Sequence, residues 1–440
     1  MRSMARLTQM EGGTGRIRRG RLLGALLFLA IGAMATATHA QGIFLPSIGP
    51  VNQSMGGAAT AAPIDSAGAM SWNPATISGL KSNEMAFGLG LVIPRAIVSS
   101  QIVTSGSTDS DAGAMPIPSI SWVHKPNDSA WTFGMGIFAV GGFGVNYPAS
   151  TTNPILSPQA VGGVGGLGRN YSSAEIYQIV PTASYALNDK LSIGFSPMVT
   201  MAKIALDPLF LAPPDATGIY GPGTASRFSY GGGFQTGIYY ITDYNWHLGA
   251  SVKSPQWMEA FRFNSQDSTG LPVMAKAYFN LPTTVSLGTA YDGFNRWLFA
   301  TDVRYFDYGN ADGFSQSGFN PNLSVAGLGW RSIWSVSTGA EYEATSRLKL
   351  RTGYQFIQNP VPDSKSMFNI PSALIIQNWY SLGGSFQLAR NVTANLAWTH
   401  GFENTGSGPV VNPVLGTLAG TSVTNRISTD ILNAGVTVTY

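Results

Sequence analysis

The sequence predicts an all-β fold, a 14-stranded antiparallel transmembrane β-barrel with an N-terminal hatch (plug) inside the lumen. Three observations carry this expectation. Charged residues make up only 11% of the 440 residues, where soluble domains average about 25%. Mean hydropathy is nonetheless barely positive, so apolar and polar residues must alternate. Fourteen segments show that alternation with period two, and the connections between them run short and long by strict turns.

Residues 1–40 read as a secretory signal. Arg16, Arg18, Arg19 and Arg21 form a basic start, Leu22 to Ala35 an apolar core, and Thr38-His39-Ala40 a small-residue exit before Gln41. The apolar core is too short to cross about 30 Å of hydrocarbon as a helix. Arg18-Arg19 hints at twin-arginine export, but its flanks match poorly and the general secretory route fits better. Met4 and Met10 are alternative starts. The leader holds six Arg and one Glu, so the formal charge of +3 falls by six and regains one, leaving −2 after cleavage. No charge bias toward nucleic acid remains. There is no cysteine, which excludes disulfides and thiolate chemistry. No later apolar run reaches the roughly 18 residues of a spanning helix. A chain of this kind spans a membrane only as a closed barrel, which satisfies every backbone group within lipid.

The strands are expected at 84–98, 116–125, 130–147, 174–187, 190–206, 227–242, 246–263, 276–292, 296–308, 330–344, 347–358, 379–389, 391–402 and 430–440. The count is even, as in single-chain bacterial barrels. Short links such as "PNDS", "ND", "DYN", "GFN" and "TS" are hairpin material. Long ones fall at about 99–115, 148–173, 207–226, 264–275, 309–329, 359–378 and 403–429. Short turns at the periplasmic end and long loops outside place the protein in the outer membrane of a Gram-negative cell. Parity assigns the faces. Leu432, Ala434, Val436, Val438 and Tyr440 point to lipid, as do Leu348, Leu350, Tyr354 and Phe356, and Trp297, Phe299, Val303 and Tyr305. Asp302, Arg304, Lys349 and Arg351 point into the lumen, since a charge on the lipid face costs up to about 2–4 kcal/mol. An aromatic terminus on the last alternating strand also resembles the C-terminal signal that the barrel assembly machinery reads.

Residues 41–83 precede the barrel, which occupies 84–440. They are rich in Gly, Ala and Ser and include "AMSWNPATISG" (69–79). Alone they bury too little apolar area to fold, so they are disordered or packed inside something. Asn73 can cap a turn, and Pro74 keeps Asn73 out of the helical region, so Asn73, Pro74 and Ala75 make a rigid corner.

The stretch "SMGGAATAAPIDSAGAMSWNPATISGL", running into Asn73-Pro74-Ala75, resembles the hatch of the FadL long-chain fatty acid and hydrocarbon transporters of the outer membrane. "RLKLRTGYQFIQNPVPD" and "WYSLGGSFQLARNVTANLAWTHGF" resemble that family's late strands. The layout agrees over the whole chain after the leader, and the likeness is sharp in the hatch and the last third. The resemblance implies passive transport of a hydrophobic small molecule, with a kinked third strand leaving a gap in the wall. Here the third strand carries Gly141, Gly142 and Gly144 in "VGGFGVN"; such glycines mark a kink or simply relieve crowding at a barrel corner. The partners so implied are the hydrophobic ligand, outer-membrane lipid and lipopolysaccharide, and the assembly machinery.

For capture of ligand at the surface, Leu209, Phe210 and Leu211 in the loop "DPLFLAPP" (207–214) are the candidates. Arg351 and Arg304 face inward and are candidates for an anionic head group; the plainer alternative is a lumen ion-pair network with Asp302. His124, His247 and His400 lack metal-ligand spacing, and no Ser–His motif stands beside them, so neither a metal, a cofactor nor an enzymatic activity is expected. "VGGVGGLG" (161–168) lacks the Lys-Ser/Thr of a phosphate loop. The alternative function is a nonspecific porin, which requires a water-filled, charge-lined bore; an added role as an adhesin or receptor through the long loops stays open.

Overall fold

The computed structural model describes residues 42–440 apart from 161–164, 226 and 268. The leader expected at 1–40 therefore lies outside the described residues, as does half of the glycine-rich 161–168 segment. Fourteen strands run up and down. They are β1 (Glu84–Gln101), β2 (Met115–His124), β3 (Trp131–Tyr147), β4 (Asn170–Ala186), β5 (Leu191–Asp207), β6 (Ser229–Ile241) and β7 (Trp246–Lys253). The second half comprises β8 (Thr284–Phe294), β9 (Trp297–Phe306), β10 (Ile333–Glu343), β11 (Leu348–Ile357), β12 (Asn378–Ala389), β13 (Val392–Gly408) and β14 (Ser422–Thr439). Each pairs antiparallel with its neighbours in sequence. β14 then pairs with β1 from Thr439 opposite Glu84 to Ser422 opposite Gln101, which closes the ring. Closure removes the free edges that an open sheet would expose to lipid.

The faces follow the expected parity. Phe87, Leu89 and Leu91 on β1 and Leu432 and Val436 on β14 are exposed, while Asn425, Thr429 and Asn433 between them are buried. Aromatic pairs ring the short-turn end: Trp131 with Tyr185, Trp246 with Tyr291 and Trp297 with Tyr342, at centroid separations of 4.8, 4.8 and 4.6 Å. Such rings suit the level of the lipid head groups.

Several strand ends differ from the sequence reading. The segment expected as one strand at 246–263 stops at Lys253, and the one expected to begin at 276 begins at Thr284. Pro255 and Pro282 explain both, because proline cannot donate to the ladder. Phe261–Gln266 instead pairs with Pro272–Ala277 and with Thr224–Ala225 in a small sheet of the outer loops. β14 starts at Ser422 rather than 430 and β13 runs to Gly408 rather than 402. Above the apolar band their outward residues turn polar, so hydrophobic alternation ends before the hydrogen-bonded ladder does.

Within the ring lies the N-terminal arm, with helices α1 (Gly49–Ser54) and α2 (Ser66–Trp72) and a 3₁₀ turn, Pro74–Gly79. Nearly all of residues 42–77 are buried, although much of the arm is polar or small. The barrel wall supplies the partners. Ser66 N–H donates to Glu84 Oε1 at 2.6 Å, Gln53 Nε2 to the Ile431 carbonyl at 3.0 Å, and the Ser66 and Ser121 hydroxyls meet at 2.7 Å. An arm unable to form its own core is thus ordered by the inward polar row of the strands.

Candidate functional site

The corner at Asn73 is extended (φ −156°, ψ 106°), as a residue before proline should be. Its side-chain oxygen accepts from Ala75 N–H at 3.1 Å, while its amide donates to the carbonyls of Thr60 (2.8 Å) and Ile238 (2.9 Å). One side chain therefore caps the 3₁₀ turn, ties two parts of the arm and fastens both to β6. The wall is shaped for it. A Cβ at Gly237 would stand 2.0 Å from Asn73 Oδ1, and one at Gly194 would stand 2.3 Å from Ala75 N.

Arg304 and Arg351 also serve the interior, but not an open pocket. Arg304 is fully buried, pairs with Asp302, donates to the Gly57 carbonyl at 2.6 Å and lies 3.7 Å above the Trp72 ring. Asp302 in turn accepts from Ala59 N–H (2.8 Å), Thr60 N–H (3.0 Å) and Thr60 Oγ1 (2.9 Å). The pair thus clamps residues 57–60 and Trp72. Arg351 donates to Glu341 at 2.7 Å and to Ser385 Oγ at 2.6 Å, and Lys349 shares the same carboxylate at 2.8 Å. Neither guanidinium lines the cavities described below. For Arg304, the ion pair with Asp302 is the arrangement present; Arg351 has a different acid.

The third strand is broken where its glycines stand. β2 pairs with β3 from His124/Phe133 only as far as Ser119/Phe138, whereas β2 continues along β1 to Met115 opposite Val92. On its other side β3 carries an extra residue, Val140, against β4. The unpaired edge of β3 is taken by the arm. Gly142 N–H donates to the Ile43 carbonyl (3.1 Å), Leu45 N–H to the Val140 carbonyl (2.9 Å), and Phe44 bridges Gly141. Side chains have no room here: a Cβ at Gly141 would stand 2.5 Å from the Ile43 carbonyl oxygen, and one at Gly142 2.4 Å from that of Ala174. Gly144 faces Met115, with 3.3 Å between a Cβ there and Met115 Sδ. Farther up, Asp111 N–H donates to the Asn146 carbonyl at 2.9 Å and limits the break.

Three apolar spaces lie end to end. An outer basin among the long loops is lined by Phe210, Tyr220, Phe319, Phe368, Val414 and Leu415, among others. Phe210, Val325 and Phe368 are also walls of a narrow inner cavity, together with Ile204, Leu211 and Phe261. That cavity shares Phe143, Pro371 and Ser372 with a second, lined further by Val92, Met115, Gly142, Gly144, Ile431 and the arm residues Phe44 and Leu45. No lining residue of these two inner cavities is acidic, basic or histidine. Of the three loop candidates, Phe210 stands between basin and cavity, Leu211 lines the cavity, and Leu209 is buried beneath them.

The sequence reading missed the walls contributed by the loops of the second half. Asp363–Ser372 is a 3₁₀ segment whose Phe368, Ile370 and Pro371 are buried in the barrel mouth. The signal was present, since "MFNIPSALII" (367–376) is too apolar for an exposed loop.

The family model described as outer membrane protein transport protein (OMPP1/FadL/TodX) matches residues 31–439. The long-chain fatty acid transport protein of Salmonella typhi is 23% identical over 376 residues, 77% of this chain and 82% of that protein. Among solved structures, a Pseudomonas aeruginosa FadL homologue gives a TM-score of 0.68 at 15% identity, over 91% of this chain and 100% of its own. The Pseudomonas putida toluene transporter TodX gives 0.64 at 20% identity, over 90% and 98%. The Ralstonia pickettii toluene transporter TbuX gives 0.65 at 19% identity, over 90% and 99%. At such identities the structural likeness bears on the fold.

Proposed function

Since this chain belongs to the OMPP1/FadL/TodX family of outer membrane transport proteins, we propose that it carries hydrophobic small molecules, long-chain fatty acids or aromatic and aliphatic hydrocarbons, passively across the lipopolysaccharide layer. The observation that supports this reading is the sequence of shared walls from the outer basin, through two cavities without ionisable side chains, to the break between β2 and β3. Solute is captured between Phe210 and the loop tips, where each buried CH₂ contributes about 0.8 kcal/mol. It moves past Phe210 to the cavity beside Phe44. Because Ile43, Phe44 and Leu45 occupy the free edge of β3, movement of the hatch opens that edge, and the solute leaves sideways into lipid. Affinity of apolar surface for apolar surroundings drives each step, so no energy source is required.

The exit is testable because the chain has no cysteine of its own. Met115→Cys with Gly144→Cys, oxidised, should staple the break and abolish uptake of a radiolabelled alkane or fatty acid by cells, and reduction should restore it. Undiminished uptake through the stapled protein would remove the lateral route.

A further inference from the structure

The small sheet of the outer loops has two unlike faces. Phe261 and Phe263 on its middle strand turn inward and are buried, and Phe261 walls the inner cavity. Arg262, between them, is exposed on the other face. It stands directly opposite Lys276, which is exposed too. Directly opposed residues share a face of the sheet, and like charges so placed repel. Arg227 joins them from the segment after Thr224–Ala225, and its guanidinium pairs with Glu259 at 2.7 Å. That carboxylate also feels the charge of Arg262, and among the described residues Lys276 has no ion pair. Asp267 at the hairpin tip is turned onto its own loop, where it accepts from Thr269 N–H (2.8 Å) and Leu271 N–H (3.0 Å). The outward face thus carries Arg227, Arg262 and Lys276 against Glu259 alone.

The height of this face follows from β6 beneath it. Tyr240, Ile238, Phe234 and Tyr230 point outward along β6 and are all exposed. From Tyr240 to Tyr230, at about 3.3 Å per residue and a tilt of about 40°, the strand climbs roughly 25 Å, the height of the apolar band. Trp257, exposed and paired opposite Gly232, marks the same upper level. Glu259 N–H donates to the Tyr230 carbonyl at 2.9 Å, so the cations around Glu259 start at the upper rim of the band. Outside that rim lie the head groups of the outer leaflet, which in a Gram-negative outer membrane belong to a phosphorylated glycolipid. Phosphate complements the face, because Arg grips it with a fork of donors and Lys adds a point charge. An anion seated between Arg262 and Lys276 also turns their repulsion into shared attraction.

We propose that the outward face of this sheet is a lipopolysaccharide site, at which Arg227, Arg262 and Lys276 bind a lipid A phosphate while the acyl chains lie along Tyr230, Trp257 and the wall of β6. The site is on the lipid side of the barrel, apart from the cavities, and does not depend on which solute the interior carries. The plain alternative is a set of solvated charges that only keep the loops in water.

The test uses the whole protein in detergent, with bound lipid counted by native mass spectrometry. The probes are bisphosphorylated lipid A, the same lipid without its phosphates, phosphatidylglycerol and inorganic phosphate. Wild type should bind lipid A about tenfold or more tighter than the dephosphorylated lipid, the range for hydrogen bonds to a charged group, and excess inorganic phosphate should not displace it. Arg262→Gln with Lys276→Gln should abolish that preference. Arg347→Gln with Arg390→Gln, both exposed and at short turns of the opposite end, should keep it. No binding, equal binding of the two forms of lipid A, an unchanged preference in the loop variant or the same loss in the turn variant overturns the site. Equal affinity for phosphatidylglycerol, or displacement by inorganic phosphate, overturns its assignment to lipopolysaccharide. The comparison of lipids on the unmodified protein decides independently of whether the variants fold.

Discussion

Asn73 shows how much can depend on one side chain. Its oxygen caps the 3₁₀ turn, and its two amide hydrogens reach the Thr60 and Ile238 carbonyls. Asn73→Ala should cost about 1–3 kcal/mol of arm docking, because buried polar groups lose their partner. Hydrogen exchange should then quicken in residues 60–79 while the strands stay protected; an unchanged arm would mean that the corner holds without its amide. Asp65, just before α2, is a second sensitive position. Burial, and after it the nearby Glu84 carboxylate, raise its pKa from the ordinary 3.8 to about 7. Between those pH values the docked arm holds a proton that a released arm would give up, so docking weakens as pH rises through that window and levels off above it. Protection of Ser66–Trp72, with exchange rates divided by their intrinsic values at each pH, should accordingly be lower at pH 8 than at pH 5. Asp65→Asn should flatten the dependence, and an unaltered profile in that variant would assign the effect to another group.

At the scale of elements, β3 is defined by one surplus residue. Val140 has no opposite number on β4, and beyond Phe138 the strand parts from β2 and accepts the arm instead. A bulge bends its strand and disrupts the ladder locally. Deletion of Val140 should put β3 back in register, allow pairing with β2 above Ser119 and displace residues 43–45. The expected result is a barrel that resists heat in detergent at least as well as wild type but takes up little hydrophobic solute. Normal uptake by that variant would separate the bulge from transport.

On the scale of the whole molecule, the barrel and its arm are complementary. Apart from the edge of β3 at Val140–Gly142, which the arm pairs, the ring satisfies its backbone without the arm, since each strand pairs with both neighbours and the last closes on the first. The arm needs the ring, because its polar groups find partners on the inner wall and its own apolar surface is small. Removing residues 42–79 should therefore leave a protein that inserts and runs as a folded barrel and conducts ions in planar bilayers, while the full chain should be nearly silent. A silent arm-less barrel would mean that the loops alone seal the bore.

Strand number, facing and the alternation of turns with loops were legible in the chain because each rests on local chemistry: a side-chain period of two, and polar links where the strand reverses. Asn73-Pro74 was legible as a corner for the same reason. What only the tertiary structure decided is where unlike segments meet. Residues 43–45 complete an edge nearly a hundred positions away, and Phe368 and Pro371 come down from a loop to wall a cavity. Arg304 is held by Asp302 and by the Gly57 carbonyl of the arm. Such contacts depend on closing a ring from both ends of the chain, and no period within a window of residues encodes them.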